Sequence, residues 1–187
     1  MNIEVEIRAK VNDFSEIKKA LNKIGANFRK SETQIDKIFG VAKFLDSEHK
    51  IVEGGIVARI REVNGKRTLE FKEILREKGG IELNCEVANI EMAEKMLKKL
   101  DFEEGFTVKK SREIYSYQDS TICLDKVEQL GNFIEIEKMI SIDEENKKAE
   151  AKKGCLDLLN VLAPNSKVES RKYGDLMQEL INQKNKK

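Results

Sequence analysis

Cysteine is scarce in this chain of 187 residues: Cys85, Cys123 and Cys155 stand far apart and are odd in number. They form neither a disulfide framework nor the paired spacing of a zinc site, so a reducing cytoplasm is the expected compartment. No apolar run approaches the ~20 residues that cross a bilayer. The first residues lack a signal peptide's apolar core, and no membrane partner is expected. Charge of one sign is missing too, because 35 Lys and Arg against 34 Asp and Glu leave +1 at pH 7. Without a basic excess there is no drive toward non-specific nucleic-acid binding, and nucleic acid is not an expected partner. Histidine occurs once, at His49, in a stretch with no clear period, and is assigned no catalytic role. The pairs Gly54-Gly55 and Gly79-Gly80 read as turns and lack the spacing of a phosphate loop.

What the chain does have is charge and alternation. Hydrophobic residues make up 40%, enough for a real core, and charged residues 37%, above the usual quarter or so. Five segments place acids or bases at every second residue: Glu4, Glu6, Arg8 and Lys10; Arg59 and Arg61; Glu82 and Glu86; Lys110 and Arg112; Glu135 and Glu137. Side chains two apart on a strand share a face. The residues between them are largely apolar, as in Ile3, Val5 and Ile7 or Ile134 and Ile136. Each such strand is expected to bury one face and gather charge on the other.

The order of elements repeats. Residues 2–10 read as a strand, and Asp13 with Glu16 resembles a capping box for a helix carrying Ile17, Leu21 and Ile24, stopped by Gly25. Strands are expected at 33–40, 56–62 and 67–73, the last two joined by the hairpin signal Asn64-Gly65, with 43–55 as a loop. The pattern then restarts with a strand from Ile81. A helix capped by Asn89 follows, with Met92, Met96, Leu97 and Leu100 inward, and then strands at 106–117, 121–127 and 132–141. The end is helical: one helix capped by Ser141 and Glu144 and stopped by Pro164, then a short one from Asp175, with the tail from Asn182 frayed. Eight strands is a number that closes a barrel around side chains or one small ligand. The expected fold is α+β: an eight-stranded antiparallel β-barrel, closed or nearly closed, with flanking helices and a charged interior.

A solvated face of an ordinary sheet would also alternate, and opposite charges across strands help pairing. The segregation points elsewhere. Like charges about 4 Å apart repel by roughly 4 kcal/mol at an effective dielectric near 20, so stability alone gives little reason to gather them. A bound anion and cation would. Magnesium or manganese takes oxygen ligands and keeps water, so a few carboxylates with substrate oxygens suffice. Guanidinium groups grip phosphate oxygens bidentately, and Lys acts as a point charge. Arg59, Arg61 and Arg112 with Lys72 and Lys110 would suit a run of linked phosphates.

The opening IEVEIRAK, followed in order by ARIRE, TLEFKE, VKKSREIY, ICLDKVEQLGNFIEIE and ESRKYGDLM, resembles the CYTH family of triphosphate tunnel metalloenzymes, nearest its class IV adenylate cyclase branch. The resemblance covers about residues 2–177, so 1–177 is expected to be one such domain, with 178–187 a helix end and tail. It implies an eight-stranded antiparallel tunnel binding ATP or another triphosphate with Mg2+ or Mn2+. It also implies Glu4, Glu6, Glu135 and Glu137 as metal ligands with Asp125 nearby. Phosphates would be held by Arg8, Arg59, Arg61, Lys72, Lys110 and Arg112, with Lys10 assisting, and the catalytic assignments are Glu6 and Lys72. Activities in the family include cyclising ATP to cyclic AMP with release of pyrophosphate, and hydrolysing inorganic or thiamine triphosphate. A binding protein without turnover is a further alternative, and a homodimer is compatible with the outside of such a barrel. The chain departs from the family pattern with Arg8 in place of the usual Lys, Ile38 where an aromatic is common, and Lys172-Tyr173 in place of Ser-Tyr.

Overall fold

The computed structural model describes residues 2–47, 50–74, 82–141 and 146–185. His49, Gly79-Gly80, Ile81 and Glu144 lie outside the described residues. The strands are β1 (Asn2–Val11), β2 (Asn27–Gly40), β3 (Ile56–Val63), β4 (Lys66–Glu73), β5 (Glu82–Glu86), β6 (Glu103–Tyr117), β7 (Ser120–Val127) and β8 (Gly131–Ser141). The helices are α1 (Ser15–Ile24), α2 (Ile90–Lys99), α3 (Lys148–Leu162) and α4 (Tyr173–Asn185). The fold is α+β as expected, an eight-stranded antiparallel sheet in the order β1-β8-β7-β6-β2-β3-β4-β5. The ends of that order are β1 and β5, and no ladder joins them among the described residues.

The chain divides into two compact units, Met1–Glu32 with Lys110–Ser170, and Thr33–Lys109 with Arg171–Lys187. The long strands β2 and β6 run through both and are neighbours in each. In the first unit Arg29 Nε donates to Ser116 Oγ at 2.7 Å. In the second, a Cβ built at Gly105 would lie 3.6 Å from the Ile38 carbonyl oxygen.

In the first unit the apolar face of β1, β7 and β8 supplies Ile7, Ala9, Ile122, Leu124, Ile134 and Ile136, all buried. Onto it pack Ile17 and Leu21 of α1 and Cys155, Leu159 and Leu162 of α3. The α1 residues are four apart, on one helical face. The expected capping box does not form. Asp13 Oδ1 accepts from the Ser15 N–H at 2.7 Å, so the acid closes a turn just before the helix. At the other end Gly25 takes φ 78°, and the Ala26 N–H donates to the Leu21 carbonyl at 2.9 Å, the left-handed stop that glycine allows. Ser141 ends β8 and does not cap α3. Helix α3 does stop before Pro164, at Leu162.

In the second unit Phe39, Ala58 and Ile60 form the apolar face, covered by Ala93 and Leu97 of α2 and by Phe102. The Asn89 side chain accepts from the Met92 N–H at 3.0 Å, as an N-cap should. Met92, Met96 and Leu100 do not point inward as expected; they are 49%, 60% and 66% exposed. They form their own four-spaced stripe, turned away from the Ala93–Leu97 stripe that meets the sheet. Likewise residues 83–86 of β5 are exposed, Leu83 to 61%, at the end of the strand order. Asn64 and Gly65 both have positive φ, as the two-residue hairpin demands. Part of the expected loop at 43–55 is a 3-10 turn, Ala42–Phe44. The last helix is longer than expected and continues past Asn182 to Asn185.

Candidate metal and phosphate sites

Strand pleating places Glu4, Glu6, Arg8 and Lys10 on one face of β1, because Val5, Ile7 and Ala9 between them are buried on the other. The β1–β8 ladder sets Glu6 opposite Glu137 and Arg8 opposite Glu135. The β7–β8 and β6–β7 ladders then set Cys123 opposite Glu135 and Arg112 opposite Asp125. With Lys110, two residues before Arg112 on β6, nine of the expected site residues share one face of the first unit.

Carboxylate oxygens of Glu4, Glu6 and Glu137 lie within 4.8 Å of one another. Three hard oxygen donors so close fit a small divalent cation such as Mg2+ or Mn2+. The crowding shows in the acid–base behaviour of the group. Burial, then the charge of Glu4, pushes the Glu137 carboxyl up to about 7, against the pull of Arg112. A divalent ion would relieve that repulsion.

The other acids of this face hold cations. Asp125 is fully buried, and its two oxygens accept from Arg112 Nε and Nη2, each at 2.7 Å, and from Lys110 Nζ at 2.9 Å. Burial disfavours charge on Asp125, but these donors outweigh it and hold the carboxyl below its ordinary range. Glu135, also buried, accepts from Arg8 Nε through one oxygen and from Arg112 Nη2 through the other. Arg112 also approaches Glu137 at 3.7 Å, and Arg8 approaches Glu6 at 3.6 Å. Burial works against the Arg112 charge, yet Asp125 and Glu135 keep it firmly cationic. Lys10 stands apart, with Nζ 5.9 Å from the Phe133 ring centre, a cation–π distance. Cys123 Sγ lies 4.0 Å from Glu137 Oε1, and burial pushes its thiol well up, so it is no nucleophile.

The second unit carries a charged face of its own. Arg61 stands opposite Asp36 in the β2–β3 ladder, and Arg59 stands opposite Glu70 in the β3–β4 ladder. Asp36 Oδ1 and Oδ2 accept from Arg61 Nε and Nη2, each at 2.7 Å. Glu70 Oε2 accepts from Arg59 Nε at 2.8 Å and from its Nη2. Lys72 lies two residues beyond Glu70 on the same side of β4 and is half-buried. Sequence reasoning singled out both arginines and Lys72 but not Asp36 or Glu70. The available signal was their two-residue spacing, Gln34-Asp36-Ile38 and Thr68-Glu70-Lys72.

A charged face with a three-carboxylate cluster and arginines paired to buried acids is thus built on an eight-stranded antiparallel sheet. The CYTH domain family model matches residues 2–171, and the chain belongs to that family. A candidate adenylate cyclase of Methanocaldococcus jannaschii is 33% identical over 169 residues, 87% of this chain and 93% of that one. A Pyrococcus horikoshii protein of solved structure is 32% identical with a TM-score of 0.73, covering 93% of this chain and 99% of its own. A Hippeastrum candidate adenylyl cyclase, described as having a dominant triphosphatase activity, shares the fold with a TM-score of 0.64 at 18% identity over 96% of each chain. No helix among the described residues is long and apolar enough to cross a membrane.

Proposed function

We propose that this protein is a divalent-metal-dependent enzyme acting on triphosphates, with ATP converted to cyclic AMP and pyrophosphate as the leading reaction. The observation that carries it is the juxtaposition of Glu4, Glu6 and Glu137, oxygens within 4.8 Å, with Arg8 and Arg112 on one face. Glu4, Glu6 and Glu137 would hold Mg2+ or Mn2+, which would neutralise phosphate charge and polarise the reacting oxygen.

The chain's own residues do the rest. Glu135 and Asp125 lie beside the trio, and in the resting arrangement they fix the guanidinium planes of Arg8 and Arg112 and the Lys110 ammonium. Donors fixed in advance need no reorganisation when charge grows on a transferring phosphoryl group. Arg59, Arg61 and Lys72 are assigned to phosphate as well, and Lys10 to assistance. In the cyclase reaction the ribose 3′-hydroxyl attacks the α-phosphorus and pyrophosphate leaves in line, with the arginines stabilising the departing charge.

A second reading is hydrolysis of inorganic or thiamine triphosphate. It is favoured by the triphosphatase activity named for the Hippeastrum relative, and both reactions use the same metal and phosphate groups. A panel of ATP, tripolyphosphate and thiamine triphosphate, each with Mg2+ or Mn2+, separates the readings. Cyclic AMP from ATP is the expected product. Orthophosphate without cyclic AMP makes the hydrolase reading correct, and tight binding with no product reduces the protein to a triphosphate sensor.

A further inference from the structure

Two arginines on the second unit's face converge on one acid. Asp36 is buried, 6% exposed, near the middle of β2. Both its oxygens accept from the Nε–Nη2 edge of Arg61 at 2.7 Å, and Oδ2 also lies 3.4 Å from Arg59 Nη1. Arg59 is braced from its other side by Glu70, whose Oε1 accepts from Thr68 Oγ1 at 3.3 Å. Two cations thus lie between two acids across three strands.

A buried ion pair is a poor way to add stability, since apolar residues of the same volume do as well or better. It is a good way to hold a guanidinium plane still. The side-on pair holds Arg61 along its Nε–Nη2 edge, and a planar fork held along one edge has a fixed orientation. We infer that Asp36 is a positioning residue: it orients Arg61, and with Glu70 it orients Arg59, for binding the phosphates of a triphosphate. The inference rests on the triphosphate reading above and adds a residue to it.

The idea makes a counter-intuitive sign. Simple charge counting says that removing an anion beside two arginines tightens anion binding. Positioning says that it loosens it. Calorimetric titration with tripolyphosphate in Mg2+ decides between them. Asp36→Asn, which keeps the shape, is expected to weaken binding by about tenfold or more, the effect of losing one well-made hydrogen bond to a charged group. Asp36→Glu, which keeps the charge and shifts the carboxylate, is expected to weaken it too, and serves if the Asn variant does not fold.

The readout that a purely structural role would not move is a double-mutant cycle. Arg61→Lys keeps a cation but cannot form the side-on pair, so in that background Asp36→Asn should cost clearly less affinity than in the wild type, the remainder coming through its 3.4 Å contact with Arg59. Binding by Asp36→Asn as tight as wild type or tighter overturns the inference. So does an equal loss with and without Arg61→Lys, which would mark Asp36 as a general support of the sheet. Failure of the wild-type protein to bind tripolyphosphate is a different result, and it removes the triphosphate reading and this inference with it.

Discussion

On the first unit's charged face, five carboxylates (Glu4, Glu6, Asp125, Glu135 and Glu137) accompany three linked cations, Arg8, Lys110 and Arg112. On the second unit's face, Asp36 and Glu70 accompany Arg59 and Arg61, two against two. The first group is acid-rich: Arg8, Lys110, Asp125 and Glu135 are buried, Glu4 and Glu6 are exposed, and the cluster of Glu4, Glu6 and Glu137 repels itself. The second is balanced and about a quarter exposed at Arg61 and Glu70. Balanced pairs can justify themselves by local structure. An acid-rich cluster with a carboxyl pushed up to about 7 asks for a cation from outside. The same alternating pattern thus builds two kinds of surface, one with an acid-rich cluster and one of matched arginine–carboxylate pairs.

The sharpest way to break that contrast is to delete one acid from each face. Glu135→Ala leaves Arg8 and Arg112 buried with a partner removed, and should lower unfolding free energy by about 3–5 kcal/mol. Glu70→Ala removes a partly exposed partner of Arg59 and should cost about 1 kcal/mol or less. Urea melts of both variants without ligand give the comparison directly. Equal losses would show that the two faces are electrostatically alike and that the burial difference carries no weight.

The next effect belongs to metal binding. Glu6→Gln keeps the volume and loses a charged oxygen from the trio, so Mn2+-dependent turnover should fall about 100- to 1,000-fold, the range for removing one preorganised group from a charged transition-state site. Calorimetric titration with Mn2+ should show the matching loss of affinity, while Asp36→Asn in the second unit, outside the trio, leaves Mn2+ affinity unchanged. Turnover lost with Mn2+ affinity intact would remove Glu6 from the ligand set.

Much of this was legible beforehand, for a physical reason. A two-residue period survives in the sequence whatever the rest of the fold does, so β1, β3, β6 and β8 and their charged sides could be read directly. The repeat of strand, helix and three strands is likewise what the order β1-α1-β2-β3-β4 and β5-α2-β6-β7-β8 shows. What could not be read was register. Only the ladders reveal that Asp36 stands opposite Arg61 and Glu70 opposite Arg59, so two acids that face arginines went unremarked. Register also separates the acids expected to act alike: Glu137 joins Glu4 and Glu6, whereas Glu135, two residues away, is taken up by Arg8 and Arg112. Helix rotation was the other blind spot. Met92, Met96 and Leu100 have core-like spacing, but the sheet meets the neighbouring Ala93–Leu97 stripe.

The smallest effect is the most telling, because it has opposite signs with and without metal. Glu137 titrates near 7 in the folded protein and near 4.3 in an unfolded chain, so the folded state holds the proton more tightly. Its contribution to the metal-free protein is full below about pH 4 and is lost as pH rises through about 7, by at most about 4 kcal/mol. Asp125, held below the ordinary range, is charged in both states above about pH 5 and adds no slope there. A metal ion needs Glu137 deprotonated, so below pH 7 its affinity should fall about tenfold per unit, with one proton released per ion bound, and level off above. Melting temperatures of the metal-free protein should therefore decline between pH 5 and about 7, while the gain on adding Mn2+ grows over the same interval. Glu137→Gln should flatten both trends and leave tripolyphosphate stabilisation through Arg59 and Arg61 in place. Parallel curves for wild type and Glu137→Gln would mean that the proton sits elsewhere and that the trio is not where the cation binds.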